Sequence, residues 1–247
     1  HNDMIFFSLE LKNKAIIKKV QELHKKGQPV LVCTSTLDYS EELSALFVSN
    51  DIKHVVLNAK NHMKESEIIA SSGKLGAVTI VTNMAGRGTD IILGAGIEEE
   101  KEKVIESGGL FILGAERNES RRLDQQLVGR AGRQGDIGES QFYVSLDDRI
   151  LRDFSDNTKL KVFWQKLGLD KEPTDNSFLS KSVLKVQKII DGVNSDIRKN
   201  ITMFDDINEE QRLIFFKFRN EILNTKDIIS FVSNFSFLNL MSSILLI

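Results

Sequence analysis

The sequence predicts an α/β fold, a parallel sheet covered by helices on both faces, followed by an all-α extension. Three observations carry this reading. Up to about Asp153, short β-branched runs alternate with amphipathic stretches. Past Lys159 the strand-like runs vanish and apolar residues recur at helical spacing. The only two prolines punctuate that plan, Pro29 before the first core run and Pro173 between the two parts.

The strand-like runs cover residues 30–34, 54–57, 77–82, 110–113 and 141–145. Helical patterns fall between them at 12–26, 40–49, 64–72 and 120–130. Regular alternation of this kind is how a chain builds parallel strands joined by crossover helices. In the second part Val183, Val186, Ile190, Val193 and Ile197 mark one long amphipathic helix. Asp205 and Asp206 are expected to cap a second helix through Leu213, Phe216 and Leu223. The stretch Lys171-Glu172-Pro173-Thr174-Asp175-Asn176 reads as a linker. The charge run Glu98-Glu99-Glu100-Lys101-Glu102-Lys103 reads as a solvated helix or loop without a function of its own.

Composition narrows the function. The chain has 33 basic and 35 acidic side chains and a formal net charge of -2, which argues against a broad phosphate-neutralising surface. A local basic patch is still open, because Arg117, Arg121, Arg122, Arg130 and Arg133 crowd together in sequence. The single cysteine, Cys33, excludes an internal disulfide and a multi-cysteine metal site, and its apolar surroundings mark it as a buried hydrophobe. The four histidines, His1, His24, His54 and His62, show no ligand spacing, so no metal site is expected. No signal peptide opens the sequence, and the apolar stretch at 231–247 is too interrupted by Asn and Ser for a membrane span.

Two segments are unlike ordinary connections. After the run at 77–82 stands Asn83-Met84-Ala85-Gly86-Arg87-Gly88-Thr89-Asp90. Its glycines let the backbone turn tightly around a charged ligand, and the Asp90 carboxylate can accept from a ribose hydroxyl. A glycine turn with a surface salt bridge is the structural alternative. About forty residues on stands Gln126-Leu127-Val128-Gly129-Arg130-Ala131-Gly132-Arg133-Gln134-Gly135-Asp136. Arg130 and Arg133, three apart, are expected on one helical turn with both guanidinium groups converging, as a polyphosphate requires. Pairing with Glu116 or Asp124 is the structural alternative there. Both segments are placed at the carboxyl edge of the sheet, where ligands of open α/β folds gather. A phosphate cradle of the form G-x-x-x-x-G-K-[ST] is absent, and Gly73-Lys74 only imitates its end.

These strings resemble a known family. Thr82 through Ile91 is similar to helicase motif V as it is written in SecA, the motor of preprotein translocation. Residues 108–117 and Glu119-Ser120-Arg121-Arg122 resemble the SecA segment before motif VI, and 126–136 resembles motif VI itself. Downstream, Phe204-Asp205-Asp206-Ile207-Asn208-Glu209-Glu210-Gln211-Arg212 resembles the opening of the SecA helical scaffold. Two positions depart from the family's wording: Val128 replaces an arginine and Asn118 a histidine.

The resemblance implies a RecA-like fold of the second-domain type of helicase superfamily 2. It places the second nucleotide-binding domain at 1–155, a linker at 156–178 and the start of the scaffold at 179–247. It makes Arg130 and Arg133 arginine fingers, with Asp90, Gly86, Arg87, Gly88, Gln126 and Gly129 around the nucleotide. The cofactor would be ATP, with Mg2+ held by a first nucleotide-binding domain that supplies the phosphate cradle. The implied partners are that domain, a preprotein, a SecY-type channel and the membrane surface, with no nucleic acid. The implied location is the bacterial cytoplasm or plastid stroma, peripheral to the inner or thylakoid membrane. Isolated, the chain is expected to be inactive. Two other readings stay open, the second domain of an RNA helicase and a binding module that hydrolyses nothing.

Overall fold

The computed structural model describes residues 1–57, 65–82, 88–154, 162, 165, 173–175, 177–224, 226, 229 and 233. The apolar stretch at 231–247 falls almost wholly outside them, as do His62 and, in the stretch 171–176 read as a linker, residues 171, 172 and 176. Six strands form one parallel sheet: β1 (Met4–Phe6), β2 (Val30–Thr34), β3 (Val55–Leu57), β4 (Val78–Thr82), β5 (Leu110–Gly114) and β6 (Gly138–Ser145). Their order is β1-β6-β5-β2-β4-β3, so β6, β5, β2 and β4 lie inside the sheet and β1 and β3 at its edges.

Every second residue of the central strands goes to one face. Val30 and Val32, Val78 and Ile80, and Phe111 and Leu113 meet Ile16 and Val20 of α1 (Leu9–Lys25) and Leu43 and Phe47 of α2 (Leu37–Ser49). Leu31, Cys33, Val81, Leu110 and Ile112 go to the other face. There they meet Ile69 of α3 (Glu65–Ser71), Val104 of α4 (Glu98–Glu106) and Leu127 of α5 (Arg121–Val128). A strand buried on both faces has no polar side to show, which is why these runs read as continuous apolar stretches. Cys33 is 1% exposed, and burial pushes its thiol up to about 12, as befits an inert packing residue.

Short elements escape sequence pattern. β1 has three residues, too few to show alternation, yet it pairs in register with β6 from Met4↔Tyr143 to Phe6↔Ser145. Its other edge meets Thr174, whose amide donates to the Ile5 carbonyl at 3.0 Å and whose carbonyl accepts from the Ile5 amide at 2.8 Å. The charge run is the first part of α4, a solvated helix held by buried Val104. Gly73 is not part of a phosphate loop: a side chain there would meet the Ile92 carbonyl oxygen at 2.2 Å, and its own carbonyl accepts from the Gly94 amide at 2.8 Å.

Beyond α6 (Arg149–Phe154) the described chain resumes in one helix, α7 (Ser177–Asn224). The chain divides into two compact units, 1–192 and 193–247. In the first unit Val183 and Ile190 of α7 join Ile5, Phe142, Val144 and Ile150 in a third apolar cluster. In the second, Ile197, Ile201 and Phe204 are exposed. The break expected at Asp205 and Asp206 does not form. Neither proline nor glycine occurs between Val193 and Asn224, so nothing interrupts the backbone ladder, and a capping side chain without a free helix end has nothing to cap. Among the described residues no helix is long and apolar enough to cross a membrane.

One ion pair is fully enclosed. Lys12 on α1 donates from Nζ to Asp148 Oδ1 at 2.5 Å, with the side chains 0% and 2% exposed. Burial pushes the Asp148 carboxyl up to about 6 against the opposing pull of Lys12 and the Ser145 amide, so desolvation outweighs the pairing. Removing one partner is therefore worse than removing both. Asp148→Ala is expected to lower the unfolding free energy by about 3–5 kcal/mol in urea denaturation. Lys12→Met with Asp148→Leu should recover most of it, short of about 1–3 kcal/mol for the abandoned Ser145 amide. Additive losses in the double variant would contradict this.

Candidate functional site

Of the eight residues singled out from sequence, six can be placed, because Gly86 and Arg87 lie outside the described residues. Gly88 is exposed with φ +81 and open space around it, so backbone conformation alone calls for glycine there. Asp90 follows, exposed, and is anchored by Ile91 and Leu93, which are buried in the second apolar cluster. Gln126 sits on the exposed side of α5, and Gly129 ends that helix.

The two arginines do not share a helical turn. α5 stops at Val128, and Gly132, Gln134 and Gly135 all take positive φ, which turns the chain sharply through 129–136. Their roles separate as a result. Arg130 is 7% exposed and turned inward. Arg133 points outward, its Nε donating to the Gly129 carbonyl at 3.0 Å and its guanidinium paired with the Asp90 carboxylate. The structure thus joins Asp90 and Arg133, two predicted site residues from segments distant in sequence. Both remain accessible, with side chains 56% and 38% exposed.

The placement also differs from expectation. The arginine loop follows α5 and enters β6 at Gly138, which is in register with Leu110, the first residue of β5. It therefore lies at the amino edge of the sheet. α5 carries the chain back across the face, an effect that a rule about loops directly following strands does not foresee. The carboxyl edge instead holds two neighbouring clefts, one lined by Thr36, Glu116, Asp148 and Arg149 and the other by Ser35, Thr36, Glu116 and Arg149. Glu116 is committed there, accepting from the Ser35 amide at 2.9 Å and its hydroxyl at 2.5 Å.

The five arginines do not form one basic patch. Arg121 and Arg122 are exposed, but Arg117 is enclosed between two carboxylates. It donates to Asp3 at 2.6 and 3.1 Å and to Asp124 at 2.9 Å, and its guanidinium stacks 3.8 Å from the Phe142 ring centroid. Burial works against its charge, and the two carboxylates outweigh that, so its pKa is raised. Asp124, 2% exposed, also accepts from the Asn118 amide at 3.1 Å and side chain at 2.8 Å. Gln187 of α7 completes the cluster, donating to Asp124 Oδ2 and to the Asn118 carbonyl, each at 2.8 Å. Nothing in the sequence pattern flagged Gln187, since a polar residue on an amphipathic helix reads as solvated.

The different burial of the arginines has a measurable consequence. Arg133→Ala removes a half-exposed ion pair and should cost at most about 1 kcal/mol in urea denaturation. Arg130→Ala empties a buried position and strips a partner from its surroundings, which should cost at least about 2 kcal/mol. Equal costs would mean that the loop is not ordered as described.

Comparison with known proteins gives the family. A model of the SecA P-loop domain matches residues 1–101 and 95–172, and one of the SecA wing and scaffold domain matches 173–244. The protein translocase subunit SecA of Pelagibacter ubique is 47% identical over 243 residues, 95% of this chain and 28% of that protein. That of Endomicrobium trichonymphae is 48% identical over 229 residues, 92% of this chain and 26% of that protein. Protein translocase subunit SecA 2 of Clostridioides difficile is 45% identical over 227 residues, 92% of this chain and 29% of that protein. The chain thus spans between a quarter and a third of the relatives it matches. Among solved structures, domain 2 of the DEAD-box helicase Mss116p superposes with a TM-score of 0.46 at 14% identity, over 60% of this chain and 57% of that one, a likeness too distant to carry function. With both its α/β part and its helical extension matched, the chain belongs to the SecA family.

Proposed function

We propose that this chain is the arginine-donating half of a SecA-type translocase ATPase, coupling ATP binding and hydrolysis to the passage of preproteins through a SecY-type membrane channel. The observation that carries the reading is the meeting of Arg133 and Asp90 at an accessible surface. A planar, permanently charged guanidinium suits a phosphate, and a carboxylate suits a ribose hydroxyl. These two residues fit a nucleotide once their mutual ion pair opens. Arg130, 7% exposed, fits it only as a support for the loop until its environment opens.

When bound, ATP supplies the phosphoryl group whose transfer releases the energy. Arg133 would exchange Asp90 for the developing negative charge on that group, a contribution of several orders of magnitude in comparable sites. Asp90, freed of the arginine, would orient the sugar. Gly88 would let the backbone pass close by, with Gln126 and Gly129 nearby on the arginine segment. Gly86 and Arg87 are proposed as nucleotide-binding residues from the sequence alone. The cradle pattern that holds phosphates and Mg2+ does not occur in the 247 residues, so a first nucleotide-binding half must provide it. We place the second nucleotide-binding domain at 1–155, a connection at 156–178 and scaffold beyond, working peripherally on the cytoplasmic or stromal face of a membrane. The pairing of Arg117 and Arg133 with carboxylates leaves less free positive charge for phosphates, which supports a partner other than nucleic acid.

Steady-state ATP hydrolysis tests this. The chain alone should hydrolyse none, and activity should appear on mixing with a separately expressed SecA first nucleotide-binding half. Arg133→Ala should then lower kcat by about 1000-fold with little change in KM. Turnover by the chain alone, or a mixture indifferent to Arg133, would overturn the assignment.

A further inference from the structure

We propose that Gln187 is a positioning residue through which the long helix sets the arginine loop, a role that rests on the function proposed above. α5 is a rod of eight residues, about 12 Å long at 1.5 Å per residue. Its far end delivers the chain into the loop that bears Arg130 and Arg133. Its near end is held by α7 at two points one helical turn apart. Gln187 donates to the Asp124 carboxylate and the Asn118 carbonyl, each at 2.8 Å, and is 1% exposed. Asp191 accepts from the Arg121 amide at 3.4 Å, placing a carboxylate at the positive end of α5.

The chemistry of this grip is directional. Asp124 accepts from Arg117, Asn118 and Gln187, and every one of those partners acts as a donor. Gln187 therefore serves by its N–H groups, so its bulk alone is not sufficient. A shift of α7 along or about its axis moves Asp124, and with it α5, because a buried carboxylate cannot shed a donor cheaply. The apolar contacts of Val183 and Ile190 hold α7 to the sheet, but they offer Asp124 no hydrogen-bond donor and so cannot replace the grip. Asn118 belongs to the same grip, since its side chain donates to Asp124 and its carbonyl accepts from Gln187.

Three substitutions separate positioning from packing. Gln187→Glu keeps the shape and loses the donors, Gln187→Leu loses both polar functions, and Gln187→Lys restores a donor. Amide hydrogen exchange on the full chain should show residues 121–136 exchanging about tenfold faster in the Glu and Leu variants, with β2 and β4 unchanged, and near-native rates in the Lys variant. In the two-part ATPase mixture the Glu and Leu variants should lower kcat about tenfold and KM less than twofold, and Lys should restore kcat. The proposal is overturned if Glu is tolerated like the native residue, or if β2 and β4 loosen together with 121–136. It is likewise overturned if exchange responds while kcat does not. An inactive native mixture would strike at the function itself, and then the exchange pattern alone decides whether Gln187 holds α5.

Discussion

Asp124 gathers donors from three directions. Its Oδ1 accepts from the amide and side chain of Asn118, fixing the turn that starts α5. Its Oδ2 accepts from Arg117, which is tied through Asp3 to the segment before β1, and from Gln187 of α7. A carboxylate only 2% exposed is tolerable because every lone-pair direction is served, and removing any donor leaves charge in a low-dielectric place. The strands are laid down by apolar alternation regardless of this cluster. How α5 leaves the sheet, and where it delivers the arginine loop, depends on it.

The molecule thus separates a rigid task from an adjustable one. The sheet, with its two apolar faces, and the enclosed Lys12–Asp148 pair form a frame with few alternatives. The arginine loop is built of left-handed turns at the frame's amino edge and held by an exposed pair, Arg133 with Asp90. An accessible ion pair exchanges partners at little cost, whereas a buried one does not. That contrast suits the exchange of a carboxylate for a phosphate that we propose for Arg133.

Much of this was legible in the sequence. The runs at 30–34, 77–82 and 110–113 announced buried parallel strands because they are apolar on both faces, and the family was carried by the wording of 82–91 and 126–136. Asp90 and Arg133 were singled out from residue chemistry as nucleotide-binding residues; the structure pairs them with each other, the kind of surface salt bridge that stood as the alternative for the 83–90 segment. What failed did so for physical reasons. Spacing of three predicts a shared face only inside a helix, and α5 ends before Arg130. Asp205 and Asp206 look like caps, but a cap is a property of a backbone end, and α7 has none there. Gln187 acts across a distance in sequence that no local pattern reports.

The most direct test of the account is a structure of this chain joined to a SecA first nucleotide-binding half, with ADP and a fluoride complex standing in for the transferring phosphoryl group. In that complex the Arg133 guanidinium is expected to have left Asp90 and to lie within hydrogen-bond distance of the fluorides, with α5 still gripped by Gln187 through Asp124. Arg133 still seated on Asp90, and the fluorides served by other groups, would contradict it.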